Sequence, residues 1–313
     1  AVAGHVLSNR VFFSDLANGV IYTSSGEGGQ ALELTVNTRE VKGLAVDWLG
    51  MHIYWADETL QLVMCSRLNG RFHRVILNST EDIGRPTSLA VDSAHGKLFF
   101  ISLDPDANQV RSGRSSKKRI MMANLDGTEL ETVIDQLENP TGLTVDPREY
   151  RLFWIEQDKQ TIMSIKLDGS GLQEVHKDNS YEMYATSTFQ DILVWSEKNS
   201  EHLKFVMQSS GQTIAVNRTG QKPVSTTFDV KTFDMYAQPD VPNMCGDDNG
   251  GCTQLCFHTS PRMKPSRRRR TQCECAIGFT LDADGFSCKS EPLVANFLMF
   301  VDPYHKQVYQ ISG

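Results

Sequence analysis

The hydrophobic positions of this chain fall in short runs that recur in register. Between Gly43 and Leu77 there are four: Gly-Leu-Ala-Val-Asp (43–47), Ile-Tyr-Trp-Ala-Asp (53–57), Leu-Val-Met-Cys-Ser (62–66) and Val-Ile-Leu (75–77), with Asn69-Gly70 between the last two. Short runs bounded by turn residues read as strands, and Asn-Gly between two of them signals a hairpin because both residues tolerate positive φ. The stretch predicts a four-stranded meander that cannot bury both faces alone and needs neighbours.

The neighbours are copies of it. Ser-Leu-Ala-Val-Asp (88–92) precedes Leu-Phe-Phe-Ile-Ser (98–102), and Gly-Leu-Thr-Val-Asp (142–146) precedes Leu-Phe-Trp-Ile-Glu (152–156). Asp126-Gly127 and Asp168-Gly169 hold the place of Asn69-Gly70, and degenerate copies stand at 11–15 and 193–197. Asp47 to Tyr54, Asp92 to Phe99 and Asp146 to Phe153 are each 7 positions apart. A period of about 40–45 residues made of four strands predicts propeller blades.

The aromatic pair with an acid two residues on, after a Leu-Ala-Val-Asp strand, resembles the YWTD repeat of the LDL-receptor-related proteins. The likeness spans nearly the whole chain, although Phe99-Phe100 ends in Ser102 rather than an acid. It implies an all-β fold: a six-bladed YWTD-type β-propeller over 1–240 followed by a small disulfide-rich EGF-like module over 241–289. Residues 224–237 are expected to add one or two strands. Phe297–Ile311 again carries an aromatic–x–acid strand. Residues 290–313 therefore either open a next propeller, with the first blade of this one upstream of residue 1, or fold back as the completing blade. The first is favoured, since a segment cut from a longer mosaic explains both ragged ends.

Cysteine usage points outside the cell. Six of the seven cysteines lie between Cys245 and Cys288, the pattern of a disulfide framework formed under oxidising conditions. The spacing lacks paired CxxC knuckles, which argues against zinc. It leaves the pairing open, and the EGF resemblance implies Cys245–Cys256, Cys252–Cys273 and Cys275–Cys288, with Cys65 as the odd thiol. Asn243 and Met244 stand where a calcium-binding EGF would carry acids, so no metal or cofactor is expected in this segment. Two glycosylation triplets begin at Asn78 and Asn217. The net charge of −7 argues against general nucleic-acid binding, and no apolar run approaches the ~18 residues of a membrane span.

Loop parity locates the candidate binding face. In an up-and-down meander, the loop from second to third strand and the connection between blades leave on one face, and the hairpins leave on the other. Arg85, Thr87, Asn139, Thr141, Glu58 and Gln157 belong to the first face. So does an insertion in the third repeat, where Phe100 to Gly127 spans 27 positions against the 15 from Trp55 to Gly70; Asp104 and Arg114 represent it. His202 and His258 are candidate pH sensors by the family resemblance. Arg267–Arg270, inside the Cys256–Cys273 loop, is a convertase site, a polyanion contact or a solvated loop.

Catalysis has little support. The inner-strand positions Gly43, Ser88 and Gly142 are small, the recurrent Asp47, Asp92 and Asp146 read as structural, and no nucleophile elbow, HExxH or phosphate loop is present. The expectation is a non-enzymatic, protein-binding ectodomain segment of an LDL-receptor-related endocytic or signalling receptor. It would bind extracellular protein ligands and release them with falling pH. Its parent would be a single-pass membrane protein of cell surface and endosome. The alternatives are a matrix linker of nidogen type and a metal-dependent propeller hydrolase.

Overall fold

The computed structural model describes residues 1–35, 37–79, 83–103, 118–178, 182–198, 202–208, 212–217, 229–235, 237–239, 241–259, 270–291, 297–302 and 307–312. Five four-stranded antiparallel sheets follow one another along the chain, each pairing its strands in sequence order. Blade one holds β1 (Val2–His5), β2 (Arg10–Asp15), β3 (Val20–Ser25) and β4 (Leu32–Thr35). Blade two holds β5 (Val41–Asp47), β6 (His52–Asp57), β7 (Leu62–Arg67) and β8 (Arg74–Leu77). Blade three holds β9 (Arg85–Asp92), β10 (Lys97–Leu103), β11 (Lys118–Asn124) and β12 (Glu131–Leu137). Blade four holds β13 (Pro140–Asp146), β14 (Arg151–Glu156), β15 (Thr161–Lys166) and β16 (Gln173–Lys177). Blade five holds β17 (Met183–Phe189), β18 (Ile192–Glu197), β19 (His202–Met207) and β20 (Thr213–Asn217).

The aromatic pair of the repeat is a consequence of strand geometry. Successive side chains point to opposite faces of a sheet, so the two rings serve two different layers. Tyr54 enters the core between blades two and three, and Trp55 the core between one and two. Phe99 faces blade four and Phe100 faces blade two; Phe153 faces blade five and Trp154 faces blade three. The first ring always meets the following blade and the second the preceding one. The second strands of blades two, three and four are therefore buried on both sides, which is why they read as continuous apolar runs. The outer strands β12 and β16 have half-buried and exposed residues only.

Near the axis the inner strands β1, β5, β9, β13 and β17 lie side by side. A Cβ at Gly43 would lie 2.6 Å from the Thr87 carbonyl oxygen, and one at Gly142 would lie 2.9 Å from the Ala185 Cα. The glycine that opens the repeated inner strand is thus required by close backbone approach.

Six blades are expected from the family resemblance; the described residues form five. The sixth position holds one segment, 229–235 with 237–238. Its Thr232 N–H donates to Ser187 Oγ at 2.9 Å, and its Asp229 and Gln238 side chains accept the Val2 and Val6 N–H groups at 2.8 and 2.9 Å. The segment bridges β17 to β1 and closes the ring at the axis. No aromatic–acid box follows it before Cys245, and the described residues of 224–237, expected to add one or two strands, run without a sheet of their own. On the flank of blade one facing this sector, Phe13 stacks on Tyr22 at 5.5 Å and both are half-buried.

Past the propeller, three disulfides join Cys245 to Cys256, Cys252 to Cys273 and Cys275 to Cys288. They enclose two small hairpins, β21 (Leu255–Thr259) with β22 (Arg270–Glu274) and β23 (Phe279–Leu281) with β24 (Cys288–Ser290), consistent with an EGF-like module. The module shares a core with the propeller. Leu255 and Phe257, both fully buried, join the cluster between blades two and three, and Phe257 lies 5.0 Å from the His52 ring. Arg67 donates to the Gln254 carbonyl, Arg74 donates to the Cys275 carbonyl and pairs with Glu274, and the Ile277 N–H donates to the His73 carbonyl. These propeller contacts are all at the hairpin end of blade two. A last hairpin pairs β25 (Phe297–Asp302) with β26 (Gln307–Ser312).

Candidate functional site

The acid that ends the second strand builds the connection face. The Asp57 carboxylate accepts the N–H groups of Arg39 and Glu40, in the connection entering blade two, at 2.7 and 3.2 Å, and that of Leu60 at 3.0 Å. Glu156 does the same for Glu138 and Asn139 at 2.9 and 3.2 Å, and its other oxygen accepts the Trp154 Nε1–H at 2.8 Å. Each buried acid thus ties a second-strand loop to the neighbouring inter-blade connection. At the opposite end the inner-strand acids cap turns: Asp92 accepts the His95 N–H, and Asp146 that of Arg148. Burial disfavours the Asp47 carboxylate, but the His52 ring and Ser93 hydroxyl outweigh it and hold its pKa low.

Over the axis the connection face opens into a cavity of about 330 Å³, lined by Thr87, Asn139, Thr141 and Gln157 among others. A hydrogen-bonded series fixes this rim. Asn139 Nδ2 donates to Gln157 Oε1 at 3.2 Å and to Asp158 Oδ1 at 3.1 Å. Gln157 Nε2 donates to the Met183 carbonyl at 3.2 Å, and Thr141 Oγ1 to the Tyr184 carbonyl at 3.3 Å. Beside the mouth, Arg85 pairs with Glu58 at 3.0 Å, Glu58 also meets Lys42, and Lys42 reaches Glu40 at 3.0 Å. Burial works against the Lys42 ammonium, yet the Glu58 and Glu40 carboxylates outweigh it and raise its pKa.

Four of the residues singled out in the sequence therefore meet at the mouth, and Arg85 and Glu58 pair next to it. Asp104 and Arg114 lie outside the described residues, as do Arg267–Arg269; Arg270 opens β22. Leu103 and Lys118, which flank the insertion, end β10 and begin β11, with Leu103 opposite Arg85 at the connection face. Asn78 is half-buried just after β8, and His258 is buried beside Phe257. Asn217 ends β20 and His202 begins β19, with side chains outside the described residues.

Two groups escaped the sequence reading. Lys231 and Asp229 line the same cavity from the sixth position, and nothing in their sequence context, a stretch of mixed apolar, hydroxyl and charged residues, sets them apart. Among the described residues no three His, Cys, Asp or Glu side chains converge as metal ligands would, and no helix is long and apolar enough to cross a membrane.

Relatives place the chain. It is 24% identical over 308 residues to the vitellogenin receptor of Solenopsis invicta, covering 96% of this chain, and 24% identical over 285 residues to vitellogenin receptor Yl of Drosophila melanogaster, covering 90%. The structure superposes on a chain of the nidogen/laminin complex with a TM-score of 0.63 at 17% identity, covering 74% of this chain and 82% of that one. These matches support the resemblance to the LDL-receptor-related family that the repeats carry. The chain spans 15% and 13% of the two vitellogenin receptors. No family model matches it. The propeller is shared more widely: a gluconolactonase from Xanthomonas campestris superposes with a TM-score of 0.58 at 16% identity, covering 73% of this chain and 77% of the lactonase. That likeness is one of fold.

Proposed function

We propose that this chain is a non-catalytic, protein-binding segment of an LDL-receptor-related receptor ectodomain, and that it takes its ligand on the connection face. One observation carries the reading: the 330 Å³ mouth gathers Thr87, Asn139, Thr141 and Gln157 around the axis. The EGF-like module supports it from the other side, because its described propeller contacts lie at the hairpin end. Polar groups fixed by hydrogen bonds around an open concavity make a pre-organised contact surface.

The relatives suggest the first ligand to try, a vitellogenin. Alanine at Asn139, Thr141 or Gln157 should weaken its binding in surface plasmon resonance while leaving the melting temperature unchanged. Substitutions near Asp168, on the hairpin face, should leave binding intact; the reverse result would overturn the assignment. Release at endosomal pH belongs to the same proposal, with His258 in the EGF-like module as the first side chain to replace. Binding that is equal at pH 7.4 and 5.5 would remove it. The matrix-linker reading, favoured by the nidogen likeness, predicts instead tight binding that survives acid. We further propose that the β25–β26 hairpin opens a next propeller and that strands of the same kind complete the sixth blade of this one. A chain extended past residue 313 to include that propeller would then show a second cooperative melting transition.

A further inference from the structure

The central channel is walled mainly by small and apolar side chains, with the half-buried Lys231 and Asp229 among them. Lys231 lines both the 330 Å³ cavity at the connection face and a second, about 100 Å³, toward the hairpin face. Among the described residues it is the single charged one lining the second cavity. From the sixth position its Nζ reaches past blade five and donates to the Leu143 carbonyl of blade four at 3.2 Å. That uses one of three ammonium hydrogens. Among the described residues no carboxylate lies within ion-pair distance of this Nζ. Asp229, the acid nearest in sequence, spends its oxygens on the Val2 and Val230 N–H groups at 2.8 and 2.9 Å. Burial works against the Lys231 charge and only Asp229 opposes that effect.

Buried cations in proteins are normally paired, because an ammonium taken from water needs an anion and acceptors in return. Here the acceptor set is incomplete and the site opens to a cavity large enough for a side chain. Ser88 Oγ, on the same wall, accepts the Gly142 N–H at 3.2 Å and keeps its own hydrogen to donate. We propose that Lys231 is the receptor for a carboxylate that enters the channel from the connection face, carried by an Asp or Glu side chain of a protein partner. The proposal rests on the reading that the mouth binds protein, and it adds the chemical class that the channel selects. The Lys231 ammonium offers donors only, so an amide isostere that turns its nitrogen toward it presents two hydrogens where an acceptor is required.

The test uses the full chain with its lysines labelled with ¹³C at Cε, the Lys231 signal being identified by its loss in Lys231→Gln. Three probes are titrated: the blocked peptides Gly-Asp-Gly and Gly-Asn-Gly, and acetate. The Asp peptide should move the Lys231 signal saturably, and the Asn peptide should bind roughly tenfold more weakly, the discrimination expected of a charged hydrogen bond. Lys231→Gln should abolish that preference without changing the melting temperature. Acetate that binds as well as the Asp peptide supports a site for any carboxylate; acetate that fails supports a protein-borne one. Equal binding of the two peptides, or an Asp preference that survives in Lys231→Gln, overturns the proposal. If the variant does not fold, the comparison of peptides on the unaltered chain decides. Failure of the rim variants to affect vitellogenin binding is a separate outcome, and it removes the mouth reading without touching the Lys231 signal.

Discussion

Phe257→Ala asks whether the EGF-like module and the propeller are one cooperative unit. The ring is fully buried and sits in the core of blades two and three with Tyr54, Phe100 and Leu255. Truncating such a ring to a methyl costs about 3–5 kcal/mol, because the cavity left behind collapses only in part. For a unit of this size each kcal/mol lowers the melting temperature by roughly 2–4 °C, so the expected fall is about 6–20 °C. Scanning calorimetry on the disulfide-intact protein measures it, and the single transition should broaden or split as the module loosens. Phe279→Ala is the matched control. It alters the same module at a ring that is 39% exposed, and surface changes of this kind stay within about 0.5 kcal/mol. A Phe257→Ala protein that melts within about 2 °C of the parent, with an unchanged transition shape, would refute the shared core.

Four other outcomes follow from the geometry. Glu156→Ala strands the Trp154 N–H and frees the Glu138 and Asn139 backbone, so it should cost at least ~3 kcal/mol in chemical denaturation and also weaken ligand binding by loosening the rim. Cys65 is fully buried, and burial drives its thiol pKa well up; a thiol reagent at pH 8 should leave it unmodified in the folded protein and react after denaturation. His73, edge-on to Trp55 at 5.9 Å, has its pKa lowered by burial. As pH falls the unfolded chain takes up this proton first, so stability is complete above about pH 6.5 and is lost from there down to the folded value; His73→Phe should flatten that part of a melting-temperature profile. Gly43→Ala places a Cβ 2.6 Å from the Thr87 carbonyl and should destabilise by about 1–3 kcal/mol in the same denaturation series.

The sequence alone determined the repeat and therefore the blade. Alternating faces and turn residues are local properties of a strand, and copies in register announce that the same local solution is used again. That is why Tyr54-Trp55 and Phe153-Trp154 were legible as second strands and Asn69-Gly70 as a hairpin. Loop parity is equally local, and it placed Thr87, Asn139, Thr141 and Gln157 on one face. What parity leaves open is how far each residue stands from the axis. Glu58 and Arg85 share that face but neutralise each other beside the mouth, a pairing set by the packing of blade two on blade three. Closure of the ring is also nonlocal. The segment that begins at Asp229 carries no box of its own, and only its bonds to Ser187 and Val2 reveal that it stands in the place of a sixth inner strand and that five sheets, rather than six, make up the described propeller. The docking of Phe257 into the blade two core joins parts about 200 residues apart in sequence. Lys231 was invisible for the same reason: a lysine in a short strand is ordinary until the ring closes and surrounds it with protein.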